Sequence, residues 1–163
     1  MQEMLIYGVS FDLVGKQPIV LLKTADGNKF LPIWIGHPEA AAILMKLQSQ
    51  TVPRPMTHDL LSDMLEQLGA QVVRITVTEL RENTFYALIT VAVNGSEIEI
   101  DSRPSDAIAL AVRSDAPIFA DDSVIEESAI EFEHEDDVNE EQMVEEFKKF
   151  LDDVKPEDFS AET

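Results

Sequence analysis

Apolar and polar positions along the chain alternate between two periods. Short apolar or alternating runs predict strands at Met4 to Val9, Pro18 to Thr24 and Lys29 to Ile35. Asp26-Gly27 between the last two is a hairpin signal. Pro38 to Leu47 then reads as a helix, with proline at its start and Glu39 at the positive end of its dipole. The same order recurs. Gln71 to Leu80, Thr84 to Val93 and Glu97 to Ile100 predict strands, Asn94-Gly95 a hairpin turn, and Ser105 to Arg113 the closing helix. Glu39 and Asp106 stand 67 residues apart, as do Ala40 and Ala107. A β-β-β-α unit used twice, over about residues 4–50 and 71–116, is the economical reading. Two generic patterns that arose separately are the other. Either way the expectation is an α+β domain, with antiparallel-rich sheets and helices packed on one side.

Between the units lies a helix predicted over 57–68. Thr57 is its expected N-cap, Asp59 falls in its first turn, and Gly69 is its expected stop. Leu60, Leu61, Met64, Leu65 and Leu68 share one face, which predicts an amphipathic helix docked on the core. After Phe119 the composition changes. Residues 1–120 are read as the domain and 121–163 as an appendage. Within the appendage, Glu131 to Glu141 reads as an acid-rich linker. Met143, Phe147, Phe150, Leu151 and Val154 form one stripe of a C-terminal amphipathic helix, which docks on its own or a sister domain or serves a separate partner.

Charge sharpens this division. The 163 residues carry a formal net charge of −20, which at face value opposes binding to nucleic acid or anionic membrane. Residues 1–120 hold nine basic and 14 acidic side chains, whereas 121–163 hold three and 18. Most of the excess therefore lies in the tail. Cysteine is absent, which removes disulfides, thiolate zinc sites and cysteine nucleophiles. No charged start precedes an apolar run and no segment reaches the length of a membrane helix, so the expectation is a cytoplasmic protein without membrane contact.

Candidate chemistry gathers at three helix starts: Gly36-His37-Pro38-Glu39, Arg54 to Asp59, and Asp101 to Asp106. Free N–H groups and the positive dipole end make such positions natural anion sites. Arg54 and Arg103 are candidate phosphate ligands, with Thr57 and Ser105 beside them, although capping alone explains both hydroxyls. His58 is a candidate for proton transfer. Asp59, Asp101 and Asp106 are candidates for general base or metal ligand, and with Glu39 they offer oxygen donors to a divalent ion such as Mg or Mn. All of this requires the three helix starts to meet in space.

Several blocks resemble the bifunctional nuclease domain family: LPIWIGHPEAAAI (Leu31 to Ile43), RPMTHDLL (Arg54 to Leu61), LGAQV (Leu68 to Val72), TFYALI (Thr84 to Ile89) and DSRPSDAIALAVR (Asp101 to Arg113). They occur in family order through roughly residues 5–120. The resemblance implies an α+β domain with nuclease activity toward RNA and DNA. It carries no residue-by-residue catalytic assignment. The tail EEFKKFLDDVKPEDF does not look like the repair-protein interaction motif of some members.

Two functions compete on this basis. One is a metal-assisted nuclease acting on RNA or DNA; the other is a non-catalytic regulatory or scaffold domain that binds an anionic ligand or a protein. Trp34, Phe85 and Phe119 on strands, with the apolar tail stripe, also predict a homo-oligomer, foremost a dimer. The split charge yields one prediction. Removing the acidic tail should strengthen nucleic-acid binding at low salt, measured by a titration; unchanged or weaker binding by a folded truncation would contradict it.

Overall fold

The structure is a computed structural model that describes residues 1–11, with only the backbone of Phe11, and 17–132. Its elements are β1 (Gln2–Phe11), β2 (Pro18–Thr24), β3 (Lys29–Trp34), α1 (His37–Leu47), α2 (Thr57–Gln67), β4 (Gln71–Arg81), β5 (Thr84–Val93), β6 (Ser96–Ser102), α3 (Pro104–Ser114), β7 (Ile118–Ala120), α4 (Asp122–Ser128) and β8 (Ile130–Glu131). The expected tail stripe from Met143 to Val154, and the expected linker beyond Phe132, lie outside the described residues.

Turn chemistry fixes the strand pairings. Glu82-Asn83 and Asn94-Gly95 both take positive φ at each position. This is the mirror-image turn whose twist matches that of antiparallel strands, and it zips β4 to β5 and β5 to β6. The first three strands form a second meander, β1-β2-β3. Both meanders share one sheet, in the order β6-β5-β4-β7-β1-β2-β3-β8. The short β7 is the keystone. It pairs antiparallel with β1 and parallel with β4, and so joins the two halves. The architecture is α+β, as the pattern predicts, but in one mixed sheet.

Helix α3 is the centre of the helical layer. Ala107, Ile108, Ala109, Leu110 and Ala111 are all buried. The three alanines let neighbouring backbones approach, and α3 packs on α1, α2, β4 and β5. Helix α2 ends in a Schellman motif. Gly69 takes φ +73, Ala70 N–H reaches Leu65 O and Gly69 N–H reaches Glu66 O. Its start differs from the expectation. Met56, not Thr57, is the N-cap; Thr57 is already helical and exposed, and Asp59 Oδ2 accepts from Met56 N–H.

The orientation of α2 also departs from the expectation. His58 is its buried residue, while Leu60, Leu61, Met64 and Leu68 are exposed and only Leu65 packs on the core. The stripe exists but points outward. Of the strand aromatics expected at a subunit contact, Phe85 is buried, and Trp34 and Phe119 are half-buried.

Residues 121–132 belong to the packed body, so a boundary at 120 is too early. Val124 and Ile125 of α4 join the main hydrophobic cluster. Helix α4, about 10 Å long, touches both β3 and β4. Those strands are four spacings apart, about 19 Å in a flat sheet. The sheet must therefore curl for α4 to reach both. A tail truncation should accordingly begin beyond Phe132. The Ile125→Ala variant should lose about 2–5 kcal/mol in urea unfolding, the cost of a core truncation. A loss within about 0.5 kcal/mol would mark α4 as peripheral.

Candidate active site

Strand ends and helix starts deliver the candidate residues. Arg103 is extended (φ −68, ψ 141) because Pro104 follows it, and it serves as N-cap of α3. Its guanidinium reaches Asp106 Oδ2 through Nε at 2.8 Å and Glu39 Oε1 through Nη2 at 2.6 Å. Asp106 offers its other oxygen, Oδ1, to His58 Nε2 at 2.8 Å. A continuous chain, His58–Asp106–Arg103–Glu39, thus joins the starts of α2, α3 and α1. His58 and Glu39 are buried, whereas the Arg103 side chain is 67% exposed.

The tautomer follows from the partners. Asp106 already accepts from Arg103 and acts as an acceptor toward His58 too, so Nε2 of His58 carries the hydrogen. Nδ1 is then the lone-pair end of the ring. Hydrogen bonding to Asp106 raises the Arg103 pKa above its ordinary value; burial opposes this, and attraction to Asp106 and the contact with Glu39 add to the rise. Arg103 is a fixed cation, and its Nη1 makes no hydrogen bond within the cluster.

Gly36 leaves room for the Glu39 carboxylate. Gly36 has ordinary backbone angles (φ −75, ψ 158), so conformational freedom is not its purpose. A Cβ there would collide with Oε2 of Glu39. The missing side chain makes room for a buried carboxylate that folds back over the start of its helix.

A second polar contact lies one step further in. Arg113, near the end of α3, sends Nε to Asp59 Oδ1 at 2.7 Å, Nη1 to Ala109 O at 2.8 Å and Nη2 to Ala42 O at 3.0 Å. Its side chain is 7% exposed. One guanidinium therefore clasps α2, α3 and α1. The Met56 N–H, and then Arg113, hold the Asp59 carboxyl below the usual carboxylate range.

The remaining candidates fall outside this arrangement. Asp101 is exposed on β6, paired across from Leu88. The Arg103 guanidinium turns instead to Asp106 and Glu39. Ser105 is buried in the first turn of α3 and Thr57 is exposed in the first turn of α2; neither caps its helix. Arg54 is exposed and makes no ion pair with the described residues. The carboxylates do not fit a resident divalent ion. Glu39, Asp59 and Asp106 each face a guanidinium or imidazole, and among the described residues no three His, Asp or Glu side chains gather as a ligand set.

A family model described as the bifunctional nuclease domain matches residues 20–133. The chain belongs to the bifunctional nuclease domain family. An uncharacterised protein of Mycobacterium tuberculosis (strain ATCC 25618 / H37Rv) is 39% identical over 166 residues, covering 99% of both chains. Bifunctional nuclease 1 of Oryza sativa subsp. japonica is 32% identical over 103 residues, 61% of this chain and 31% of the rice protein. Bifunctional nuclease 1 of Arabidopsis thaliana is 30% identical over 105 residues, 62% of this chain and 32% of that protein. The chain thus matches about a third of each plant nuclease and nearly all of the mycobacterial protein. Within the family domain, the residue that pattern reasoning passed over is Arg113. It closes the D-x-RPSDAIALA-x-R block, but a basic residue in a last helical turn reads as dipole complement, and nothing in the sequence says that it is buried.

The depressed Asp59 carboxyl makes a linkage prediction. Its contribution to stability is present above the unfolded-chain value, roughly 3.9, and is lost as pH falls through the lower folded value. At pH 7 the Arg113→Ala variant should be about 3 kcal/mol less stable, the low end for a broken buried pair because Asp59 is 29% exposed. The gap between variant and wild type should narrow below about pH 4 in urea melts. A gap that stays constant would rule out the Asp59 pair as its source.

Proposed function

We propose that the chain is a nuclease that hydrolyses phosphodiester bonds of RNA or DNA at the cluster formed by His58, Asp106, Arg103 and Glu39. The carrying observation is the convergence of three helix starts on a histidine whose Nε2 is engaged by a carboxylate. Capping requires no such chain. The names of the plant relatives support the reaction class.

The chemistry follows from the donors. Nδ1 of His58 takes a proton from water as its oxygen attacks phosphorus. The new P–O bond forms as the ester P–O bond breaks, and the leaving oxygen takes up a proton from solvent. Asp106 holds the ring in the required tautomer and faces the imidazolium as it forms. Arg103 donates from Nη1 to a non-bridging oxygen, where negative charge builds up. The N–H groups in the first turns of α2 and α3 add to this. Glu39 positions Arg103. No step is assigned to a metal ion, because Glu39, Asp59 and Asp106 each already face a guanidinium or imidazole.

A second reading draws on local charge. The exposed Arg103 would serve equally in a regulatory or scaffold domain that binds a phosphorylated ligand without cleaving it. The two readings separate in one experiment. Single-stranded RNA and DNA are incubated with wild type, His58→Ala, Asp106→Asn and Arg103→Lys, each checked for folding and each with and without EDTA. The nuclease reading expects cleavage that falls about 10²–10⁴-fold in His58→Ala, the range of a lost general base. Equal cleavage by wild type and His58→Ala would reject the site. Saturable binding without cleavage would favour the second reading.

A further inference from the structure

The arginines of the chain all lie among the described residues, and all but one have a carboxylate partner there. Arg74 faces Glu97 at 3.8 Å and Arg81 faces Glu79 at 3.7 Å. Arg103 is held by Glu39 and Asp106, and Arg113 by Asp59. Arg54 is exposed and makes no ion pair among the described residues. In a chain with 32 acidic side chains against 12 basic ones, a carboxylate is easily found, so a bare arginine stands out. Its place in the chain is the second observation. Arg54 precedes His58 by four residues, so the backbone between them spans at most about 14 Å. Pro53 and Pro55 flank it. Pro55 restricts the Arg54 backbone and Pro53 fixes its own φ, so this approach to α2 loses little freedom when a ligand binds.

We infer that Arg54 binds a second phosphate of the substrate, adjacent to the one that reacts, so that the site takes an oligonucleotide strand rather than a lone phosphodiester. The inference rests on the nuclease reading and adds to it a minimum substrate length. Arg103, tied into the cluster with His58, serves the reacting phosphate. Arg54 stands outside that cluster and serves its neighbour. Long-range attraction does not hold the strand. Residues 1–120 carry nine basic and 14 acidic side chains, a balance that repels a polyanion. Affinity must therefore come from short contacts, and a guanidinium against two phosphate oxygens is a strong one. Arg54 touches no reacting atom, so its contact is the same in the ground state and the transition state. Such uniform binding lowers KM and leaves kcat unchanged. A substrate with one phosphate gives Arg54 nothing to hold.

The test compares full-length wild type, Arg54→Ala and Arg54→Lys on a dinucleoside monophosphate and on single strands with two and with many phosphates. For wild type, the second phosphate should lower KM about tenfold, the worth of a charge-assisted contact. Arg54→Ala should erase that advantage with kcat retained, and Arg54→Lys should recover part of it. The slope of log KM against log salt should flatten by about 0.7 in Arg54→Ala, one phosphate contact on a single strand. On the dinucleoside monophosphate Arg54→Ala should match wild type. Cleavage of the longer strands with the same KM in wild type and Arg54→Ala overturns this inference and leaves the nuclease reading standing. A loss of equal size on one-phosphate and longer substrates also overturns it, by marking a structural role. If wild type leaves even the longest strand intact, the nuclease reading falls, and this inference falls with it.

Discussion

The arrangement of the helical layer depends on one buried guanidinium. Arg113 ties Asp59 of α2, its own Ala109 carbonyl and the Ala42 carbonyl of α1. A buried charge of this kind is costly unless its donors find partners, and here Nε, Nη1 and Nη2 all do. The requirement acts on α2 first. To bring Asp59 to Arg113 the helix must turn its N-terminal polar residues inward. The neighbouring His58 then meets Asp106, seven residues before Arg113 on the same face of α3 and about 10 Å along it. The same turn sends the leucine ridge out to solvent. Buried clasp, candidate site and apolar surface are three results of one helix rotation.

This explains why the two specific sequence blocks belong together. RPMTHDLL supplies His58 and Asp59, and DSRPSDAIALAVR supplies Asp106 and Arg113. Adjacent residues on one helix meet residues two turns apart on the other. Helix α1 repeats the logic, since Glu39 meets Arg103 and the carbonyl of Ala42, one turn on, meets Arg113. The two arginines of the second block thus divide the work. Arg113 is buried and fixes the helices, while Arg103 is exposed and is held by two carboxylates.

Much of the fold was legible in the sequence because its signals are local. Asn94-Gly95 forces a turn by backbone conformation alone, and Gly69 stops α2 for the same reason. The β2 and β5 bounds coincide with the apolar runs Pro18 to Thr24 and Thr84 to Val93. Strand β7 was not legible. Three residues are too few to show a period, although they join the halves of the sheet. Helix α4 escaped for a related reason: Val124 and Ile125 are its only buried residues, set among acids that read as a solvated tail.

The site was legible in composition but not in connectivity. Periodicity shows which residues share a face, yet it does not show which way that face points. Hydrophobicity alone turned α2 the wrong way: His58 and Asp59 face α3, while four apolar side chains face solvent. The same blindness collected Asp59, Asp101, Asp106 and Glu39 as one set of oxygen donors. In the fold, Asp101 stays exposed on β6, Asp59 goes to Arg113, and Glu39 and Asp106 share Arg103. Four carboxylates near helix starts look like a metal site until the partners of Glu39, Asp59 and Asp106 are traced. Once they are, the acidic residues hold a histidine and an arginine in position.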